Sequence, residues 1–525
     1  MTSIDFATYE NMCLRCCQGN MEEKTSYENT LYEFIKTKSM VPQILEIIAK
    51  SKSEQTQFIT VEIVNKVYLS SSKIGVLEFS FVNTKEEYDP HFDININFVK
   101  TYVGLLNENG LSMPNYLVNS IANYIGNTTR MYWLDIKNKK AYLEDIASPF
   151  FNDGVPIQKM IVGLKIFEYI MSNLFINSQF IGYLKFRRIT VSFQEQGVNF
   201  IFKTTKKAIM FILDYLRQNG PKDQAYLTNA FKVFFHCLTF PFAYNYYNFS
   251  NIIELDEIST SIYPEEWAPE FEDQALFEGI FAVIETKEFS KETKHHAIKV
   301  LSNIASTRQY IFEEEIKQTV FRGLIVRGLV ISVNGLNLDD EDYLVELIDY
   351  ALRLMNVHGN RKIYKDPAMF NSWIQSCSHL SKYVVKNCYK LDDPSFNRFC
   401  DLWKRIYRQR VDDYNLNDTI GEYLKTYCRT NFQGPHTCNI FEDLSYKNYK
   451  KFKKLVKARF DSMSEFFNTK LKENLNEILV SAQQIYNDFE NLSSLHANGQ
   501  LNSQRNVVEQ FLTKFSHFIL FGCNT

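Results

Sequence analysis

The stretch Ile157-Gln-Lys-Met160-Ile161-Val-Gly-Leu164-Lys-Ile-Phe167-Glu-Tyr-Ile-Met171-Ser-Asn-Leu174-Phe175 decides the fold class. Its apolar residues Ile157, Met160, Ile161, Leu164, Phe167, Met171 and Leu174 return every three or four positions and leave a polar back. That is the period of an amphipathic α-helix. Glu54–Ser70 repeats the habit with Phe58, Val61, Val64 and Tyr68 on one face. Working outward, the same pattern occupies Phe6–Cys17, Glu22–Lys36, Val41–Lys50, His91–Leu106 and Pro114–Arg130. It continues through Gln224–Phe240, Asp273–Glu285, Lys291–Phe312, Glu314–Val333, Asp340–Val357, Pro367–Cys388 and Pro394–Arg410. The Asp366-Pro367 and Asp393-Pro394 pairs read as helix starts, because proline suits the first turn.

These helices come in pairs with short connections, and none buries its apolar stripe alone. Stacked neighbours solve that problem, and a period of about 40–47 residues belongs to HEAT and armadillo arrays. The expected fold is therefore all-α: a HEAT/armadillo-like α-solenoid of antiparallel helix pairs, with separate helical bundles as the alternative. Three stretches break the rhythm and read as projecting loops: Ile74–Pro90, Thr190–Phe202 (with room for a short hairpin) and Ala243–Pro264. Only 19 Gly and 12 Pro in 525 residues leave few turn residues for a many-stranded β fold. A formal net charge of −3 argues against nucleic acid, whose binders carry a basic excess. Stretches such as Ala208–Leu216 and Phe321–Ser332 are too short, and too interrupted by Asp214, Arg322 and Arg327, to span a membrane.

No chemistry-bearing motif closes, so the chain reads as a binding protein and not an enzyme. Gly323–Gly328 has the opening spacing of a phosphate loop, but Leu329-Val330 stand where Lys and Ser/Thr are required, which makes it a helix interior. Cys13-Leu-Arg-Cys16-Cys17 lacks the further ligands zinc needs and reads as packing on the first helix. His295-His296 point in different directions on a helix, which disfavours a shared metal. No cofactor is implied. Lys447–Arg459 reads as the solvated face of an amphipathic helix, with a nuclear-localisation-like or acidic-partner patch as the alternative. Glu265-Glu266-Trp267-Ala-Pro269-Glu270-Phe-Glu272-Asp273 is denser in acid than helix capping requires.

Several segments carry a family resemblance: Tyr27-Glu28-Asn-Thr-Leu31-Tyr-Glu-Phe34, Thr56-Gln-Phe-Ile-Thr60-Val-Glu-Ile-Val-Asn-Lys66, Cys237-Leu-Thr-Phe-Pro-Phe242 and Ile262-Tyr-Pro-Glu-Glu-Trp267. Val300–Phe312, Phe396–Arg405 and Ser481–Phe489 follow in the same order. On these the chain resembles the importin-β/exportin superfamily of nuclear transport receptors, on its exportin-7-like branch. Tyr27 replaces the small residue usual in the first motif.

The resemblance implies a solenoid whose second helices line the binding side. Residues 1–130 would be N-terminal repeats that bind Ran in its GTP form. Residues 131–525 would continue the array, cut short relative to full-length members. Protein cargo and Phe-Gly-rich nucleoporins would be the other partners, and the chain would shuttle between nucleus and cytoplasm. Ran and cargo affinities would then be mutually coupled. Within that frame Glu28, Thr56, Thr60, Asn115, Asn119 and Asn123 are the candidate Ran contacts, the three asparagines sharing one helical face. Glu265, Glu266 and Glu270 are the candidate acidic clamp against Ran's basic surface. A HEAT-type scaffold for another assembly, without Ran binding, is the alternative.

Overall fold

A computed structural model describes residues 4–70, 91–175, 183–240, 242, 261–308, 311–363, 366–386, 398, 399, 402 and 475–499. The expected segments Ile74–Pro90 and Lys447–Arg459, most of Ala243–Pro264 and Pro394–Arg410, and the end of the chain lie outside the described residues.

The helices are α1 (Phe6–Gln18), α2 (Met21–Lys36), α3 (Val41–Lys50), α4 (Glu54–Asn65), α5 (Phe92–Asn109), α6 (Asn115–Tyr132), α7 (Lys139–Phe151) and α8 (Ile157–Phe175). They continue as α9 (Tyr183–Phe193), α10 (Asn199–Asn219), α11 (Ala225–Leu238), the short α12 (Ala268–Phe271), α13 (Gln274–Glu285) and α14 (Lys291–Ile304). The rest are α15 (Glu315–Gly335), α16 (Glu341–Leu354), α17 (Pro367–Lys386) and α18 (Leu475–Ala497). Among the described residues the only β feature is an isolated bridge between Ser261 and Thr307. The fold is all-α, of the HEAT/armadillo-like helical-repeat class.

Local sequence sets many of the boundaries. Asp5 accepts a hydrogen bond from the Thr8 backbone N–H at 2.9 Å, and Asn20 with Glu23 forms a reciprocal capping box on α2. Asn138, Asp273 and Asp340 cap α7, α13 and α16. Asp366 caps α17 by accepting from the Ala368 and Met369 N–H groups, just ahead of which Pro367 sits without a missed bond. Gly220 ends α10 in a left-handed conformation, φ 80°, that a side chain would resist.

The chain divides into two compact units, residues 1–252 with 287–300, and residues 253–286 with 301–525. In the first unit, α1 packs on α2, α3 on α4, α5 on α6, α7 on α8 and α10 on α11. First helices meet first helices (α3 with α5, α5 with α7, α7 with α10). Second helices likewise meet in sequence, α2 with α4, α4 with α6, α6 with α8 and α8 with α11. In the second unit α13, α15 and α17 form one row, and α16 packs against both α15 and α17.

This double row explains the burial of α8. Of its expected stripe, Ile157, Met160, Leu164, Phe167, Met171 and Leu174 are buried, and so are Val162, Ile166 and Ile170 on the flanks. A helix with neighbours on three sides buries most of its circumference. Each fully buried large apolar side chain contributes roughly 1.5–3 kcal/mol. The α6–α8 crossing is tight because Gly126 has no Cβ; one placed there would stand 2.6 Å from the Tyr169 carbonyl oxygen.

Two expectations need correction. Thr190–Phe202 is neither loop nor hairpin: α9 runs through a π-helical turn, Gln194–Val198, into α10. Its β-branched residues and Gly197 imitate a strand and turn. Ile189, Phe193, Val198, Ile201 and Phe202 are nevertheless buried, and packing overrides local propensity. Gly197 is wrapped by the Phe193 ring. Helix α7 falls outside the helical stretches read from sequence, and it accommodates Pro149 in its last turn.

Candidate partner-binding face

The second helices of the first unit carry a line of polar groups, bonded from α2 to α4, α4 to α6, α6 to α8 and α11 to α14, with Glu168 of α8 within electrostatic reach of Lys232 of α11. Glu28 of α2 pairs with Lys66, which continues from α4. Ser120 of α6 donates to Glu62 of α4 at 2.5 Å. Lys165 of α8 donates to the Asn115 amide oxygen of α6 at 2.9 Å. Two turns further, Asn173 of α8 donates to the Asn123 side-chain oxygen at 3.1 Å, which Asn127 also approaches at 3.3 Å. Lys232 of α11 pairs with Glu292 of α14 at 2.7 Å. These are the positions that apolar packing leaves over on otherwise buried helices.

The line is only partly solvated, and its titrating groups respond. Burial pushes the Glu168 carboxyl up, against the opposing pull of Lys232 and Lys165, and burial lowers the Lys165 ammonium. His296 is held down at about 4, first by burial and then by Lys232 and Lys299. Lys165, Glu168, Lys232, Glu292 and His296 were not nominated from sequence. No local pattern marked them, because what sets them apart is the stacking of α6, α8, α11 and α14.

Of the nominated contacts, Asn115 is exposed and Asn119, Asn123 and Glu28 are half-buried on this face. Thr56 and Thr60 are not on it. They are 1% and 0% exposed, turned into the core against α1. Thr60 shares a hydrogen bond with the Tyr9 hydroxyl at 3.0 Å and returns its own hydroxyl to the Thr56 carbonyl at 2.6 Å. Both leave the contact set, because a sealed hydroxyl cannot meet a partner.

The acidic segment belongs to the second unit. Glu265–Trp267 forms a 3-10 turn that leads into α12. Glu265 and Glu266 are exposed and Glu270 is half-buried. Trp267 is fully buried, stacked on Tyr263 with centroids 5.4 Å apart and set edge-on to Phe271 at 6.2 Å. The indole plugs the core while the glutamates remain on the surface, and Glu272 pairs with Lys317 of α15 at 3.2 Å.

The motifs set aside in sequence have structural roles. Burial raises the Cys13 thiol to about 12 and the Cys16 thiol to about 11, far from the thiolate a nucleophile or metal ligand needs. Gly323–Gly328 lies inside α15, where Gly328 admits the Tyr350 hydroxyl. Among the described residues no group of three His, Cys, Asp or Glu is placed to hold a metal, and no helix is long and apolar enough to cross a membrane.

No protein-family model matches the chain. No curated protein matches it in sequence. One solved crystal structure, described as an engineered protein, aligns at 12% identity and a TM-score of 0.34, covering 92% of this chain and 98% of that one. At that score the similarity carries no argument, and the class stands on the helix packing above.

Proposed function

We propose that this chain is an exportin-7-like nuclear transport receptor that performs no chemistry itself. It binds Ran-GTP on the second-helix face of its N-terminal repeats, carries protein cargo, and meets Phe-Gly-rich nucleoporins as it shuttles between nucleus and cytoplasm. The observation that supports this reading is the polar ridge Asn115, Asn119 and Asn123. It lies on the same row of second helices as Glu28. The exposed Glu265 and Glu266, with the half-buried Glu270, suit a basic partner surface, where charge complementarity raises association rate and specificity.

The test is retention of purified Ran on the immobilised chain, in a GTP-locked and in a GDP form. Retention of the GTP form alone is expected. Retention of neither form, or of both alike, overturns the reading. It leaves the HEAT-type scaffold, which the withdrawal of Thr56 and Thr60 from the contact set favours.

A further inference from the structure

Helix α15 of the second unit presents an apolar strip to solvent. Ile316 is 75% exposed and Val320 42% exposed, one turn apart on the same side. Gly323 continues the strip as a notch, since a Cβ there would meet only the Met369 methyl of α17, at 3.6 Å. Ile316, Val320 and the Gly323 notch therefore form one short apolar strip, with Met369 of α17 at its far end.

Its surroundings are strongly acidic. Glu313, Glu314 and Glu315 are all exposed at the start of α15. Glu272 is brought alongside by Lys317, which contacts Glu272 at 3.2 Å and Glu314 at 3.6 Å. Lys317 thus answers two of these carboxylates, Glu272 and Glu314, and Glu315 acts on the largely buried Arg322, so acid still outnumbers base around the strip. Side-chain capping does not explain Glu314, which stands at the N-cap and makes no side-chain bond to the helix.

We infer that this strip docks a basic amphipathic protein segment, with apolar side chains on Ile316, Val320 and the Gly323 notch and lysines or arginines against the glutamates. An uncharged apolar ligand would leave the carboxylates unanswered. A purely basic one would leave Ile316 in water. Only a partner carrying both features matches the two together, and anchors at i, i+3 or i+4 and i+7 on a helix have the spacing of the strip. Charges at the rim raise association rate and exclude wrong partners, while the buried apolar anchors hold the complex. The site lies within the second unit and does not depend on Ran.

The experiment titrates the full chain, without Ran, into a fluorescent helical peptide with leucines at i, i+4 and i+7 and lysines elsewhere. Comparison probes are the same composition with leucines scattered, an all-lysine peptide and an uncharged Phe-Gly repeat. The patterned peptide is expected to bind at least about tenfold tighter than each comparison, and to weaken as salt rises. Ile316→Asp and the charge reversal Glu313→Lys/Glu314→Lys/Glu315→Lys should each cost about tenfold in affinity. These residues are exposed, so circular dichroism and the melting temperature should stay near those of the unaltered chain. If either variant loses its helix signal, Val320→Ser is the substitute. Equal binding of the scattered, all-lysine or Phe-Gly probe, or full binding by the folded variants, overturns the inference.

Discussion

Helices α4 and α6 carry polar residues at the same four-residue spacing, yet they place them on opposite sides. On α4, Thr56 and Thr60 are buried beneath α1. On α6, Asn115, Asn119 and Asn123 line the second-helix face. The difference lies in what each side chain can satisfy alone. A threonine hydroxyl can bond back to the carbonyl four residues earlier, as Thr60 does at 2.6 Å, and is small enough to be enclosed even where, as at Thr56, its hydroxyl has no hydrogen-bond partner among the described residues. An asparagine amide offers two donors and two acceptor sites, and so stays near water or a polar neighbour. Spacing alone located both stripes, and the hydrogen-bond inventory decides which of them is surface.

The largest expected effect breaks that comparison directly. Thr60→Arg places an unpaired cation in the core beside Tyr9 and should lower stability by about 3–5 kcal/mol. Asn119→Arg on α6 should stay within about 0.5 kcal/mol. Urea denaturation of the two variants measures both. Similar losses at the two sites would mean that the two stripes do not differ in burial as described.

What could be read from sequence follows the same physics. Ile157–Phe175 announced itself because its apolar stripe and polar back are clean, and the helix ends where expected. Helix α7 did not, because Ser148-Pro149 suggests an end and the buried Leu143, Ile146, Ala147 and Phe150 make a short stripe. The α9–α10 turn was missed because Gly197 works through its contact with Phe193, and no local pattern reports that. Lys165, Glu168 and Lys232 escaped nomination because their importance is relational. Each is an ordinary charged residue until the stacking of α6, α8 and α11 sets them side by side.

The partly desolvated stretch of the face should show in acid. His296 stays neutral in the fold to about pH 4, whereas in the unfolded chain it takes a proton near its ordinary value of 6.5. Between those values the unfolded state binds more protons, so stability is full above about pH 6.5 and falls as pH drops toward 4. With the ring partly open to solvent, the loss is roughly 1–2 kcal/mol. His296→Gln should flatten that part of the stability–pH curve. An unchanged slope would show that the ring is protonated in the fold as readily as outside it.

The α6 ridge can be tested for function without disturbing its packing. Asn123 is left in place because the buried Asn173 bonds to it. Asn119→Arg, which also spares the Asn115 that accepts from Lys165, should weaken Ran-GTP binding about tenfold, near 1.4 kcal/mol, at nearly unchanged stability. Undiminished affinity would remove α6 from the contact surface while leaving the rest of the proposal to the nucleotide test.

The smallest effect concerns the ion pairs that cross the second helices, and it separates surface from scaffold on the face itself. Lys232 and Glu292 meet at 2.7 Å, with side chains 29% and 62% exposed. Glu28 and Lys66 are 47% and 55% exposed. Solvent screens such pairs, and ordering two long side chains offsets much of the attraction, so each should couple by under about 1 kcal/mol. The half-buried Lys232 pair should be the stronger of the two, because its lysine is less hydrated and Glu292 is held below the usual carboxylate range chiefly by its bond to that lysine. Double-mutant cycles with Lys232→Met and Glu292→Gln, and with Lys66→Met and Glu28→Gln, measure both couplings in chemical denaturation. Added salt should erase the Glu28–Lys66 coupling before the Lys232–Glu292 coupling. If the Glu28 pair proved the stronger and resisted salt, α2 and α4 would be tied by it as scaffold, and Glu28 would leave the candidate contact set beside Thr56 and Thr60.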